Sequence, residues 1–290
     1  MNDKIKIFEV GPRDGLQNEH RILGLESKLH FINLLIEAGC KDIEAGAFVR
    51  EDLIPQMADS DKLLPLAIFN SPENVNFHSL VPNAHGLKKA QYAGVKHIGL
   101  LTSICNTFSK RNLNATFQES ASRLKRIISE CQPGTFKRLY LSMAFHSSWS
   151  GKIDDDVFTE KAKILSHLEI DEFVLSDTNG LATPEDVIAK INLLKEIIPV
   201  EKIACHFHDT HNRALQNIEQ AWKEGVSIFD SSCGGLGGCP FTPGATGNIA
   251  TERVVRFFDK NSCTTGIDPD FMSGAASYIK SALDMISPID

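Results

Sequence analysis

The sequence predicts an α/β protein, a (β/α)8 TIM barrel with an additional C-terminal helix, and three observations lead there. One grammar recurs along the chain: an amphipathic segment, a glycine, then a short apolar strand, as in EAGCKDIEAG (37–46), YAGVKHIGLL (92–101) and KEGVSIFDSS (223–232). The chain resolves into about eight such strands, the complement of a closed parallel barrel of roughly 250 residues. The first strand also opens into GPRDGLQNE (11–19), not into the GxGxxG that usually marks a doubly wound open sheet.

Taken in order, IKIFEV (5–10) is the first apolar strand. Leu25, Leu29, Ile32 and Ile36 then repeat with helical period and share one face. The glycine that follows suits the left-handed position past a helix end. KDIEAG (41–46), FHSLVP (77–82), KHIGLL (96–101), RLYLSM (138–143) and EFVLSD (172–177) are the next five strands, with helical stretches between them. KIACHF (202–207) is the seventh; Leu215, Ile218 and Trp222 give the next helix its apolar face, and SIFDSS (227–232) is the eighth strand. A further helix follows Asp268, so the reading is one barrel domain over 1–290 with a helical extension at 268–290. Strands alternating with helices imply a parallel sheet buried on both faces.

Composition narrows the class. With 290 residues, 42% of them hydrophobic, the chain can bury a large core. A formal charge of −7 and the lack of any Lys/Arg run argue against a nucleic-acid binder, though not against a local basic patch for an anionic ligand. No apolar run is long enough for a membrane span, and MNDKIKIFEV has neither a signal core nor a transit composition, so a soluble cytoplasmic protein is expected. Seven cysteines without framework spacing read as reduced thiols.

In a TIM barrel the chemistry sits at the C-terminal ends of the strands. The seventh strand runs into HFHDTHN (206–212). His206 and His208 are two apart, so on a strand they face the same way; with Cys205 and Phe207 toward the helices, both imidazoles face the axis. With a carboxylate from another strand and an amide oxygen such as that of Asn248, they make a divalent-metal site. The plainer reading is a pair of hydrogen-bonded core histidines. A closed zinc site fits less well, because no CxxC accompanies them. Asp14 is either a ligand or the aspartate of an RDG turn. Arg13 either grips a carbonyl or carboxylate oxygen or is a surface ion-pair partner. Glu44, alone in a core strand, has to be paired or to face a cavity. Asp177 and Thr178 end the sixth strand and are candidates for substrate contact. Cys239 sits in GLGGCP, within the Gly-rich stretch 234–247, either as the acid on a mobile loop or as a small turn residue. The other six cysteines read as core or bystanders, and the absence of GKS/T excludes a P-loop.

VGPRDGLQNE (10–19), HFHDT (206–210) and GLGGCPFTPGATGNIATE (235–252) closely resemble signatures of the 3-hydroxy-3-methylglutaryl-CoA lyases, a family of metal-dependent barrel lyases related to condensing enzymes. IEAGAFV (43–49), FSKRNLN (108–114) and LSDTNG (175–180) align less strictly, so the resemblance spans nearly the whole chain. It implies Asp14, His206, His208 and Asn248 as ligands of a divalent cation, Mg2+ or Mn2+, with Arg13, Glu44 and Cys239 in catalysis. It further implies cleavage of a tertiary β-hydroxy acyl-CoA to acetyl-CoA and a keto acid, acetoacetate for hydroxymethylglutaryl-CoA, by a homodimer.

The chain departs from the family at Gly46 and Ala47, where hydroxyl residues are usual, at AFHSSWSG (144–151), at His211-Asn212 in place of Tyr-Gly, and at Asn179. These departures are expected to alter the substrate wall, which admits a related branched 3-hydroxyacyl-CoA. Two other readings stay open: a condensing enzyme of the isopropylmalate or citramalate synthase type, and a non-catalytic barrel that binds an acyl-CoA. The first normally carries extra C-terminal sequence, and the second would not need Arg13, Glu44 and Cys239 together.

Overall fold

A computed structural model describes residues 3–238 and 247–285. Eight parallel strands form a closed barrel: β1 (Lys6–Glu9), β2 (Asp42–Ala47), β3 (Asn76–Leu80), β4 (His97–Ser103), β5 (Phe136–Ser142), β6 (Glu172–Asp177), β7 (Ile203–Phe207) and β8 (Ile228–Ser231). Each overlaps its expected segment. Closure comes from β1, which pairs with β8 in register Phe8 to Asp230 and with β2 in register Phe8 to Asp42.

The helices are α1 (Leu25–Glu37), α2 (Ser60–Asn70), α3 (Ala84–Tyr92), α4 (Phe117–Ser129), α5 (Asp155–Ser166), α6 (Pro184–Lys195), α7 (Ala214–Lys223), α8 (Thr251–Lys260) and, after the last barrel unit, α9 (Pro269–Met285). Local chemistry sets their ends. Thr116 with Glu119 and Thr183 with Asp186 form capping boxes on α4 and α6, and such a cap typically contributes about 1 kcal/mol. At the three junctions with the recurrent grammar, Gly39, Gly94 and Gly225 have φ of +106°, +79° and +99°. These are the left-handed turns that bring the chain from helix back to strand. None of the described helices is long and apolar enough to cross a membrane.

The apolar core lies between strands and helices, with Phe31, Leu35, Phe158, Ile191, Ile218 and Phe258 all buried against the sheet. The barrel axis is different, because it is filled by charge. Arg138 crosses from β5 to Asp230 on β8 and Glu172 on β6. Below it Lys6 reaches Asp42 (3.4 Å) and Glu172 (3.3 Å), and His78 Nε2 meets Asp42 at 3.1 Å. The sheet is buried on both faces as expected, the outer face by apolar side chains and the axis by paired charges. Buried charges persist there because each has opposite partners within hydrogen-bond reach.

Candidate active site

Arg13 and Asp14 lie in a single wide helical turn, Gly11–Gly15, at the end of β1. Glu9 fixes that turn: its buried carboxylate accepts N–H bonds from Gly11 (2.8 Å) and Cys233 (2.8 Å) and a hydroxyl bond from Thr251 (2.6 Å). It thereby ties the loops after β1 and β8 together.

Arg13 is only 6% exposed, so the surface ion-pair reading does not hold. Its Nε and Nη2 both reach Glu44 Oε2, at 2.6 and 2.5 Å, and Nη1 donates to Asp14 Oδ1 at 2.7 Å. Glu44 has the partner its burial demands. Its Oε2 also accepts from Tyr140 Oη at 3.3 Å, while Oε1 is buried with no hydrogen-bond partner. Burial raises the Glu44 carboxyl and the guanidinium acts against it. Burial also works to raise the pKa of Asp14, but Arg13, then His206 and His208, outweigh it and bring the group to about 2. Asp14 is thus ionised throughout the neutral range.

His206 and His208 face the axis as their spacing requires, while Phe207 packs outward on Phe145 with ring centroids 5.9 Å apart. His206 Nδ1 meets Asp230 Oδ2 at 3.1 Å, and its Nε2 lies 4.0 Å from Asp14 Oδ2. Nδ1 of His208 is buried without any partner. Burial, then the neighbouring His206, lowers its pKa to about 4, which leaves a neutral imidazole at pH 7. Asn248 donates its amide to Asp14 Oδ2 (2.8 Å) and to Leu236 O (3.1 Å), and bridges by backbone to His208. Asp14, His206 and His208 can each offer one ligand atom, all within 4.8 Å of one another. A carboxylate and two imidazoles form a hard O/N donor set with no thiolate, and Asn248 stands beside it with Nδ2 toward Asp14. The unpartnered His208 nitrogen and the close approach of three donors both fit a divalent cation.

Asp177 and Thr178 end β6 at the same mouth, and their described bonds go to backbone. The Asp177 carboxylate accepts from Leu181 and Ala182 N–H groups, and Thr178 Oγ1 accepts from Met143 N at 2.9 Å. They brace the rim. Asp209 likewise caps α7 through Ala214 N (3.1 Å) and pairs with Arg253. Cys239 lies outside the described residues. The stem of its loop is described: Gly237, with φ +108°, passes so close to the site that a Cβ there would lie 2.7 Å from Asn248 Nδ2.

Two departures read from the sequence change meaning in three dimensions. Gly46 does not line the substrate mouth: a Cβ there would meet Ser60 Oγ at 2.8 Å and Leu64 Cδ1 at 3.2 Å, so the position faces α2. The expected change in the substrate wall is corrected at that residue. The segment 144–151 folds into a small hairpin, His146–Ser147 against Gly151–Lys152, pinned by His146 Nε2 (2.8 Å) and Lys152 Nζ (2.7 Å) to Asp186. Asn179 Nδ2 adds a bond to His146 O at 3.3 Å.

Sequence reasoning missed Arg138, Tyr140 and Asp230, which join the two halves of the site, and Glu172, which only pairs with Arg138 and Lys6 at its edge. From Arg13 the bonds run through Glu44 and Tyr140 to Arg138, Asp230 and His206. The signal was present: each is a polar residue inside an apolar strand, on the inward parity shared with Glu44 and His206.

A family model described as HMGL-like matches residues 4–279. The chain belongs to the HMGL-like family. Hydroxymethylglutaryl-CoA lyase of Pseudomonas mevalonii is 36% identical over 280 residues, 96% of this chain and 92% of that protein. The cytoplasmic 3-hydroxy-3-methylglutaryl-CoA lyase of Rattus norvegicus is 37% identical over 98% of this chain and 82% of its own length. Among solved structures, the HMG-CoA lyase of Brucella melitensis superposes with a TM-score of 0.92 at 35% identity, covering 97% of this chain and 99% of that one. An Acinetobacter baumannii HMG-CoA lyase in complex with coenzyme A and 3-methylmalate gives a TM-score of 0.92 at 30% identity over 99% and 94% of the two chains. This HMGL-like barrel is thus similar to lyases along nearly its whole length.

Proposed function

We propose that this HMGL-like protein is a divalent-metal-dependent carbon–carbon lyase that cleaves 3-hydroxy-3-methylglutaryl-CoA, or a close branched 3-hydroxyacyl-CoA, to acetyl-CoA and acetoacetate or the matching keto acid. The observation that carries the reading is the convergence of Asp14, His206 and His208 beside a buried, doubly paired Arg13. The cation, Mg2+ or Mn2+, would be held by Asp14, His206, His208 and the amide oxygen of Asn248. When bound it would supply Lewis-acid stabilisation of negative charge on the tertiary oxygen.

The chain's own residues do the rest. Arg13 has a planar fork held by Glu44 on one edge and Asp14 on the other. A donor fixed in this way stabilises negative charge developing on the thioester oxygen as the carbon–carbon bond breaks, without reorganising at that moment. Glu44 and Tyr140 keep the fork in place. Asp177 and Thr178 hold the rim that flanks the acyl group. Cys239, carried over from the resemblance, is the acid that protonates the departing carbanion. A homodimer and a cytoplasmic location belong to the same reading.

The test is product analysis across a panel of 3-hydroxyacyl-CoAs. Acetyl-CoA and keto acid should appear in equal amounts, fastest with a branched tertiary alcohol. Net consumption of acetyl-CoA with an oxo acid, and no cleavage of any member of the panel, would instead identify a condensing enzyme.

A further inference from the structure

Asp230 touches none of the groups assigned to the reaction except His206. It is fully buried on β8, in register with His206 on β7. Its carboxylate accepts three charge-assisted bonds: Oδ1 from Arg138 Nη2 (2.5 Å), and Oδ2 from both Arg138 Nη1 (3.1 Å) and His206 Nδ1 (3.1 Å). Arg138 is immobilised in turn. It pairs with Glu172, donates to Tyr140 Oη at 3.0 Å and stacks over the Phe8 ring at 3.7 Å.

An imidazole nitrogen facing a carboxylate must carry the proton, since two acceptors would repel. With Nδ1 protonated, the lone pair is on Nε2, the nitrogen 4.0 Å from Asp14. His208 has no such partner on Nδ1, so the two imidazoles are not equivalent. We infer that Asp230, clamped by Arg138, is a positioning residue that fixes the tautomer and ring orientation of His206 so that Nε2 faces the cation. This role rests on the metal-centre reading. The competing role, that of a plain counterion for Arg138, would affect folding but not metal affinity.

The experiment titrates Mn2+ into the intact protein and its variants and follows the free-ion signal by electron paramagnetic resonance. Asp230→Asn should weaken Mn2+ binding about 10- to 100-fold, the usual effect of losing a partner behind a histidine ligand. Glu172→Gln removes another carboxylate from Arg138 but leaves the Asp230–His206 bond, and should stay within about threefold of the parent, far short of that loss. Equal losses in both variants, or parent-like binding by Asp230→Asn, overturn the inference. Nitrogen-15 NMR of the metal-free parent, above the pH at which His206 is charged, decides independently of any variant. A proton on Nδ1 of His206 is expected, and a proton on Nε2 overturns the role. No Mn2+ binding by the parent would instead remove the metal-centre reading and this role with it.

Discussion

Glu44→Gln isolates what the buried pair with Arg13 does. The substitution keeps volume and shape, and its amide oxygen can take the place of Oε2, where Nε and Nη2 of Arg13 converge at 2.6 and 2.5 Å. The amide NH2 then takes the place of Oε1, which has no partner in the parent. Two unit charges about 4 Å apart at an effective dielectric of ~20 attract by roughly 4 kcal/mol. An ion–dipole bond in the same geometry recovers about 1.5–3 kcal/mol of that. The folded state should therefore lose about 1–3 kcal/mol, short of the roughly 3–5 kcal/mol typical when a buried partner is deleted outright. Turnover should fall further than stability, because a neutral amide holds the fork more weakly and Asp14 is left as its only charged partner. A loss in kcat on the order of 100-fold is expected, the scale for a misplaced charge-stabilising donor. Urea unfolding and steady-state cleavage on the same preparation measure both. Unchanged stability together with unchanged kcat would refute the argument that Glu44 serves as the Arg13 counterion.

Arg13→Lys keeps the charge but not the fork, so kcat should drop on the order of 100-fold or more while urea unfolding shifts far less; activity within a few-fold of the parent would deny Arg13 its role. His211 and Asn212 are consecutive left-handed residues, with φ of +61° and +56°. His211→Gly should therefore stabilise by about 0.5–1 kcal/mol in thermal unfolding, and any destabilisation would show that the histidine side chain makes compensating contacts. Burial raises the Glu9 carboxyl to about 7, against bonds from Thr251, Cys233 and Gly11. The folded state thus holds a proton that the unfolded chain releases near pH 4.5, and this contribution to stability is lost as pH rises toward 7 and beyond. Relative to Glu9→Gln, which cannot titrate, the parent should lose up to about 3 kcal/mol between pH 5 and 8; parallel pH profiles would show that Glu9 does not titrate in that window.

Much of this was legible because it depends on local pattern. The three junction glycines follow from the geometry of leaving a helix, and the inward direction of His206 and His208 follows from strand parity. Arg13 was ambiguous from sequence, since only the barrel brings Glu44, 31 positions away, against its fork. The polarity of Arg138 and Asp230 on inward strand positions was visible, but their pairing across 92 positions was illegible for the same reason. An arginine in an apolar strand has no meaning until closure supplies its carboxylates. Gly46 was misread because family comparison gives identity without direction, and the bulge in β2 between Glu44 and Gly46 shifts which face each residue takes.

The central claim is metal-dependent cleavage at Asp14, His206 and His208, and one measurement addresses it most directly. Protein stripped with a chelator and verified by elemental analysis is given 3-hydroxy-3-methylglutaryl-CoA, and acetyl-CoA and acetoacetate are followed before and after Mg2+ or Mn2+ is added. The account requires no release from the stripped protein, and equal release of both products once either cation is restored. Full release from the stripped protein, or none with any divalent cation, would contradict it.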